Sequence, residues 1–344
     1  MQTLSFKPKQ VTKRLLAELP ERAREVLTLR YGLGKDTTPA TLEAIGKTYT
    51  ITRERVRQIE NHGLASVRKS AAFTDSEPIF QELAERIDAM GAIVPEDEFL
   101  AAVARDTGTR NHVHFLLVVG HLFEKQKEDA EFAHRWSVDP EIADVVHDAL
   151  RRLYQNLSDD DLIPESEMIT HFLREVEQLN EKYKNKEIVR RWLGLSRKIG
   201  KNPLGEWGKA ESPNVRAKGM RDYAYLVIKR HGSPMHFREV AAAITSLFNR
   251  KAHEATCHNE LIKDQRFVLV GRGLYALKEW GYEGGVVKEV IRQILESHGP
   301  LTREDIVEHV RRERYVKDNT ILVNLQDPAL FTRTKDGLYA LKEA

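Results

Sequence analysis

One pattern recurs four times between Val94 and Leu341, and it constrains the fold of most of this chain. Each copy opens with an amphipathic helix and breaks at a small or proline-containing turn. A second helix then starts with an acidic residue followed by a hydrophobe. Those starts align as Val94-Pro95-Glu96-Asp97-Glu98-Phe99, Ile163-Pro164-Glu165-Ser166-Glu167-Met168, Met235-His236-Phe237-Arg238-Glu239-Val240 and Leu301-Thr302-Arg303-Glu304-Asp305-Ile306. Glu98, Glu167, Glu239 and Asp305 therefore recur at spacings of 69, 72 and 66. The copies also end alike, at Trp136, Trp207, Tyr275 and Tyr339, each followed by alternating residues. An aromatic in such a setting reads as the return strand of a hairpin.

The last two copies show the hairpin outright. Phe267 to Val270 and Leu274 to Leu277 flank Gly271-Arg272-Gly273, while Phe331 to Thr334 and Leu338 to Leu341 flank Lys335-Asp336-Gly337. Glycine supplies the positive φ that such turns need. Three helices plus a hairpin is the winged-helix plan. The third copy, from about Arg221 to Trp280, resembles the HARE-HTH domain, a winged helix found in the delta subunit of bacterial RNA polymerase. Ser233 to Val240 and Gly271 to Leu277 carry the likeness, and the fourth copy matches more loosely. The first two copies rest on the internal repeat alone, and the second carries an extra charged stretch, Glu175 to Glu187, that lengthens a helix or inserts a loop. The expected fold is mainly α: a helix-turn-helix module over 1–70, then tandem winged helices over 78–140, 141–212, 220–281 and 286–344. Segments at Phe73 to Pro78, Pro213 to Gly219 and Gly281 to Gly285 read as protease-sensitive linkers between independent beads.

The front of the chain reads differently. Leu42, Ile45 and Tyr49 share one face of a short helix, Thr50 and Ile51 make a turn, and Thr52 is placed to cap a second helix. In that second helix Val56, Ile59, Gly63 and Val67 face inward at helical spacing. Arg53, Glu54, Arg57, Gln58 and Asn61 take the opposite face in the first turns, where a recognition helix meets base edges. Arginine pairs with guanine, glutamate accepts from cytosine and glutamine pairs with adenine. A solvated charged face accounts for the same spacing equally well.

Thr52 to Glu60, preceded by Leu42-Glu43-Ala44-Ile45-Gly46, resembles region 4.2 of the bacterial sigma-70 family, and Leu19 to Gly34 resembles region 4.1. The likeness runs from about Val11 to Lys69. It implies a module that reads the promoter −35 element in double-stranded DNA and packs on the β flap of RNA polymerase. It implies base reading by Arg53, Glu54 and Gln58, with Arg55 and Arg57 on phosphates or partner proteins. It also implies a groove for a polymerase helix. Leu15, Leu16, Leu19, Val26, Leu27 and Leu29 supply more apolar surface than three short helices hide, so Leu15, Leu19, Val26 and Leu27 are expected to contribute to polymerase docking; some of the six must be core, and the alternative is that all of them are. Nothing here resembles the family's region 2, so the chain is not expected to start transcription unaided.

Charge follows the same division. The formal net charge is only +2, but residues 1 to 70 carry 14 Lys+Arg against 7 Asp+Glu, and the remainder 40 against 45. Phosphate contacts are therefore expected at the front, with protein docking or spacing as the main role of the winged helices. A single cysteine, Cys257, excludes an intramolecular disulfide, and no apolar run approaches the ~18 residues that span a bilayer. A cytoplasmic location without membrane contact is the expectation.

Other chemistry is weak. His253 and Cys257 stand at i, i+4 but lack a second ligand cluster, Asp159-Asp160-Asp161 reads as a solvated turn, and His112, His114 and His121 as satisfied or surface histidines. No phosphate-binding glycine loop or nucleophile motif is present, so neither an enzyme nor a metal or cofactor is expected. The leading expectation is a bacterial transcription regulator. The alternatives are a polymerase-independent repressor or chromosome-organising protein, and a polymerase-binding sigma competitor that reads no DNA.

Overall fold

The computed structural model describes residues 4–282, 287–313 and 316–342. Its contacts divide it into two units, one comprising the chain up to Gly200 with Trp207–Ala210, the other Lys201–Glu206 with Glu211 onward. The chain is mainly α-helical with small antiparallel sheets.

The first unit begins with α1 (Pro8–Ala17), α2 (Glu21–Tyr31), α3 (Leu42–Tyr49) and α4 (Arg53–Arg68). Local chemistry sets their ends. Thr41 and Thr52 cap α3 and α4, each accepting a backbone N–H three residues on, from Ala44 and Arg55, both at 3.1 Å. The turn between α3 and α4 is tight: Thr50 sits in the left-handed region at φ 54°, and a Cβ on Gly46 would lie 2.7 Å from the Ile51 carbonyl. A short α5 (Ala71–Thr74) leads into α6 (Glu77–Ala89), β1 (Ile93–Pro95), α7 (Glu96–Val103), α8 (Thr107–Val119), β2 (Glu124–Gln126) and β3 (Arg135–Ser137). These three strands form one antiparallel sheet in the order β1-β3-β2. Then come α9 (Pro140–Asn156), α10 (Glu165–Glu175), α11 (Lys186–Leu193), β4 (Ile199–Lys201) and β5 (Trp207–Lys209). The extra charged stretch is a loop holding one 3-10 turn, Glu181–Tyr183, and not a longer helix.

The second unit repeats the order with α12 (Met220–His231), β6 (Met235–His236), α13 (Phe237–Phe248), α14 (Glu254–Lys263), β7 (Phe267–Gly271) and β8 (Leu274–Leu277). It follows again with α15 (Val287–His298), α16 (Arg303–Glu313), α17 (Asp318–Leu325), β9 (Phe331–Arg333) and β10 (Tyr339–Leu341). Register carries the internal repeat into three dimensions. Val94 faces Trp136, Ile163 bridges Trp207, Met235 faces Tyr275 and Leu301 bridges Tyr339. In every copy the residue that opens the second-helix segment pairs with the terminal aromatic.

Two expectations need correction. The stretch Phe73 to Pro78 is not an open linker. Ala72 is buried, Ser76 is fully buried and donates to the Ala72 carbonyl at 2.7 Å, and Phe73 packs against Phe80 with tilted rings, centroids 4.9 Å apart. Nor is Pro213 to Gly219 loose. Ser212, Asn214 and Val215 are buried, and the Asp222 carboxylate accepts from the Lys218 and Gly219 amides at 3.1 and 2.9 Å. Both stretches are polar in composition, yet several of their backbone N–H groups donate to neighbouring protein groups. The Gly284-Gly285 part of the third expected linker lies outside the described residues.

One core runs from Val11 through Leu64 and Val67 to Phe80, Phe99, Val113, Phe115, Leu116 and Trp136. It joins the helix-turn-helix module to the first repeat. The module's remaining core is small: Val26, Ile45 and Val56, with partly buried neighbours. Three residues of this kind contribute roughly 1.5–3 kcal/mol each, so α8 carries much of the module's stability. Phe115→Ala is accordingly expected to cost about 3–5 kcal/mol. Amide exchange should rise in α1 to α4 as well as in α6 to α8; protection of α1 to α4 left intact would show that the module folds alone.

Beneath the first sheet, Glu96 accepts from Lys125 Nζ at 2.6 Å and Trp136 Nε1 at 2.7 Å, with His114 Nε2 at 3.5 Å. Burial opposes its charge, but the hydrogen bonds from His114 and Lys125 outweigh burial and hold the carboxyl down to about 2. A depressed carboxyl stabilises the fold above its ordinary value near 4.5 and loses that contribution as the pH falls toward 2. Acid titration of the unfolding midpoint should show this loss in the wild type and a flatter profile in Glu96→Gln.

Candidate nucleic-acid interface

Helix α4 is a 16-residue helix. Its inner side is fixed by apolar contact and by one buried carboxylate. Val56 and Val67 are fully buried, Ile59 is half-buried, and Gly63 lets α2 approach closely: a Cβ there would lie 3.1 Å from Leu27 Cδ1. Glu60, buried on the same side, accepts from Arg30 Nε at 3.3 Å and Tyr31 Oη at 3.2 Å. Burial and the nearby Glu60 charge push the Tyr31 hydroxyl well above its usual range, so it stays protonated and donates. Helix α3 is held by the Arg22 guanidinium, 4.0 Å over the Tyr49 ring, and by Tyr49 Oη donating to Glu25 at 2.9 Å.

This anchoring leaves Thr52, Arg53, Glu54, Arg55, Arg57, Gln58 and Asn61 exposed. The structure brings all seven to the outer face over the first turns. Arg57 grips Glu54 through Nε and Nη2 at 2.9 and 2.7 Å, and Arg55 donates to Gln58 at 3.1 Å. The hydrogen bond from Arg57 holds the Glu54 carboxyl below its ordinary range and raises the Arg57 guanidinium in turn. Arg53 and Asn61 make no side-chain hydrogen bond among the described residues. The face is therefore ordered before any ligand arrives, with Arg53 as the unengaged guanidinium at its start.

The expected docking leucines are placed otherwise. Leu15, Val26 and Leu27 have no exposed surface, Leu16 and Leu19 are buried, and only Leu29 remains at 38% exposure. The anticipated open groove is filled by the chain's own α8. Arg68 donates to the Val119 and Val118 carbonyls at 3.0 and 2.8 Å, closing the C-terminal end of α8, where such cations are favoured. From α8, Asn111 Nδ2 donates to the carbonyls of Gly32 and Thr37 at 3.0 and 2.7 Å. Gly32, at φ 60°, leaves room for that amide: a Cβ there would lie 2.6 Å from it. Sequence periodicity missed Glu60, Arg68 and Asn111 because each is polar and its partner lies in another element. The one available signal was glycine at position 32.

Third helices in the first two repeats are committed to packing. In α8, Val113, Phe115, Leu116, Leu117 and Val119 are fully buried. In α11, Trp192 donates to the Gly91 carbonyl at 3.0 Å and Arg191 pairs with Glu98 at 2.7 Å. Cys257, the one thiol, is buried and pushed up to about 11 by burial, which keeps it protonated. Among the described residues no group of three or more His, Cys, Asp or Glu is placed to hold a metal ion, and no helix is long and apolar enough to cross a membrane.

Residues 15–69 match the family described as Sigma-70, region 4, and form such a domain. Over 56 residues the chain is 52% identical to the RNA polymerase sigma factor RpoS of Coxiella burnetii, covering 16% of each chain. It is 46% identical over 54 residues to the sigma factor RpoD of Helicobacter pylori, 16% of this chain and 8% of the relative. With the sigma factor SigA of a Nostoc species it shares 48% over 67 residues, 17% of each. The chain thus spans at most 17% of the length of these curated relatives.

Removing the Thr52 cap tests how α4 is held. Thr52→Ala should cost about 1 kcal/mol of stability and loosen exchange in the first turn of α4. Unchanged exchange there would remove the cap from the account of how the face is ordered.

Proposed function

We propose that this protein is a cytoplasmic transcription regulator that reads promoter-type double-stranded DNA through α4, with no catalytic step of its own. The observation that carries the proposal is the outer face of α4: seven exposed residues, rich in base-reading types, on a helix whose other side is fully used in packing. The likeness of residues 15–69 to sigma factors supports the same reading and suggests association with RNA polymerase. In it Arg53, Glu54 and Gln58 contact bases, Arg55 and Arg57 contact phosphate, and Asn61 extends the footprint. The module spans 1–70, and the repeats that follow, the third of them HARE-HTH-like, serve as spacing and docking elements.

A second reading has an observation in its favour. Leu15, Leu19 and Leu27 offer no surface to a β-flap helix unless α8 withdraws, and Val26 lies in the module's own core, which supports DNA binding that does not need the polymerase. Affinity capture with the full chain separates the two. Arg68→Ala with Asn111→Ala removes the polar clasps on α8, and increased retention of the flap would favour docking in the groove. Retention equal to wild type would place polymerase contact elsewhere, and no retention by either would favour the independent reading.

Base reading has its own test, using the full chain on a preferred duplex selected from a random pool. Arg53→Ala should weaken that site about 5- to 150-fold and relax specificity at one base. Arg57→Ala should weaken all duplexes alike and reduce the salt slope by about 1. If the wild-type chain shows no preference among duplexes at low salt, α4 is not reading sequence.

A further inference from the structure

Beyond the α4 face, a second concentration of positive charge lies in the other unit. Residues 71–210 carry 18 Lys+Arg against 27 Asp+Glu, but residues 211–282 reverse the balance, with 12 against 7. Much of that excess gathers around one concavity of about 490 Å³, lined by Glu211, Pro213, Arg216, Lys218, Gly219, Arg221 and Asp222. The Arg250 guanidinium joins it by donating to the Lys218 carbonyl at 3.1 Å, and it is steadied 4.9 Å over the Tyr223 ring, which packs edge-on against Phe248. Lys251 follows it in the chain. Arg216, Lys218, Arg221, Arg250 and Lys251 are all exposed.

Their charge is largely uncompensated. Among the described residues the side chains of Arg216, Lys218 and Lys251 make no ion pair or hydrogen bond. Arg221 reaches Asp264 only at 3.9 Å. The Asp222 carboxylate is turned to the backbone of Lys218 and Gly219 and to Arg266 at 3.0 Å. The two amides just before α12 are therefore already taken, and the attraction comes from the side-chain cations. None of the lining residues is a large hydrophobic, which a peptide anchored by apolar side chains would need. A row of phosphates needs only cations at its edge.

We infer that Arg216, Lys218, Arg221, Arg250 and Lys251 form a second, sequence-independent contact to the phosphate backbone of duplex DNA. The contact needs no base reading by α4. Where both operate, tethering makes the second engagement intramolecular and raises overall affinity without adding specificity.

The experiment measures binding of the full chain to an arbitrary duplex across a salt series. Arg216→Gln, Lys218→Gln, Arg250→Gln and Lys251→Gln are combined in one variant. Losing four phosphate contacts should flatten the slope of log affinity against log salt by about 3 to 4 and weaken binding at low salt at least roughly tenfold. The double variant Arg216→Gln, Lys218→Gln leaves the Arg250 clasp in place and should show about half the change in slope. As a control for net charge, Arg230→Gln with Lys278→Gln removes two exposed cations that do not belong to the cluster, one in the last turn of α12 and one just after β8. It should change the slope by less than the double variant. Repeating the series in an Arg53→Ala background keeps this outcome separate from the fate of α4, because the slope change should persist there. An unchanged slope in a quadruple variant that melts like the wild type would overturn the inference. So would retained duplex binding together with lost binding to poly-glutamate, which would assign the cluster to an acidic protein surface.

Discussion

Insertion of α8 against α1, α2 and α4 is the contact on which the first unit depends. A helix-turn-helix of this size holds only Val26, Ile45 and Val56 in a core of its own. The opposite sides of the same helices turn Leu15, Leu27, Leu64 and Val67 toward α8, which answers with Val113, Phe115 and Leu116. Tyr31 meets Phe115 edge-on at 5.3 Å, while its hydroxyl reaches Glu60 on α4. One aromatic thus ties the packing of the repeat to the orientation of the helix that carries the polar face.

That arrangement gives the same supersecondary plan different uses within one chain. The third helices of the first two repeats, α8 and α11, are spent on packing, with polar clasps at their rims. The third helix of the next repeat is freer: Ile262 on α14 is 61% exposed. Fold repetition therefore does not multiply function, because a buried face cannot meet a ligand. The charge is distributed to match, acidic where repeats pack and basic where surfaces stay open.

Order at the α4 face comes from pairs close in sequence. Glu54 with Arg57 and Arg55 with Gln58 are three residues apart, so helix geometry alone brings them together. Such exposed pairs contribute little to stability. Their effect is to hold long side chains in an extended row.

Everything that depends on near neighbours was legible in the sequence. The Thr52 cap, the turn at Thr50, the inward set Val56, Gly63 and Val67, and the outward set from Arg53 to Asn61 follow from helical period and capping chemistry, which act within a few residues. The four aligned starts and the four terminal aromatics were legible as a repeat, but that Val94 pairs with Trp136, and likewise in each copy, came from the structure, because register is set across the sheet. Composition misled where a segment's surroundings decided its state: Phe73 to Pro78 is polar enough for a linker yet lies against a core. The leucines of α1 and α2 were recognisably in excess of what three helices cover, and that excess was real. Which surface would cover them was not legible, because apolar burial is non-directional and any complementary face serves. Only the tertiary structure selected α8, through Asn111 and Arg68, whose partners lie 50 to 79 residues away in the chain.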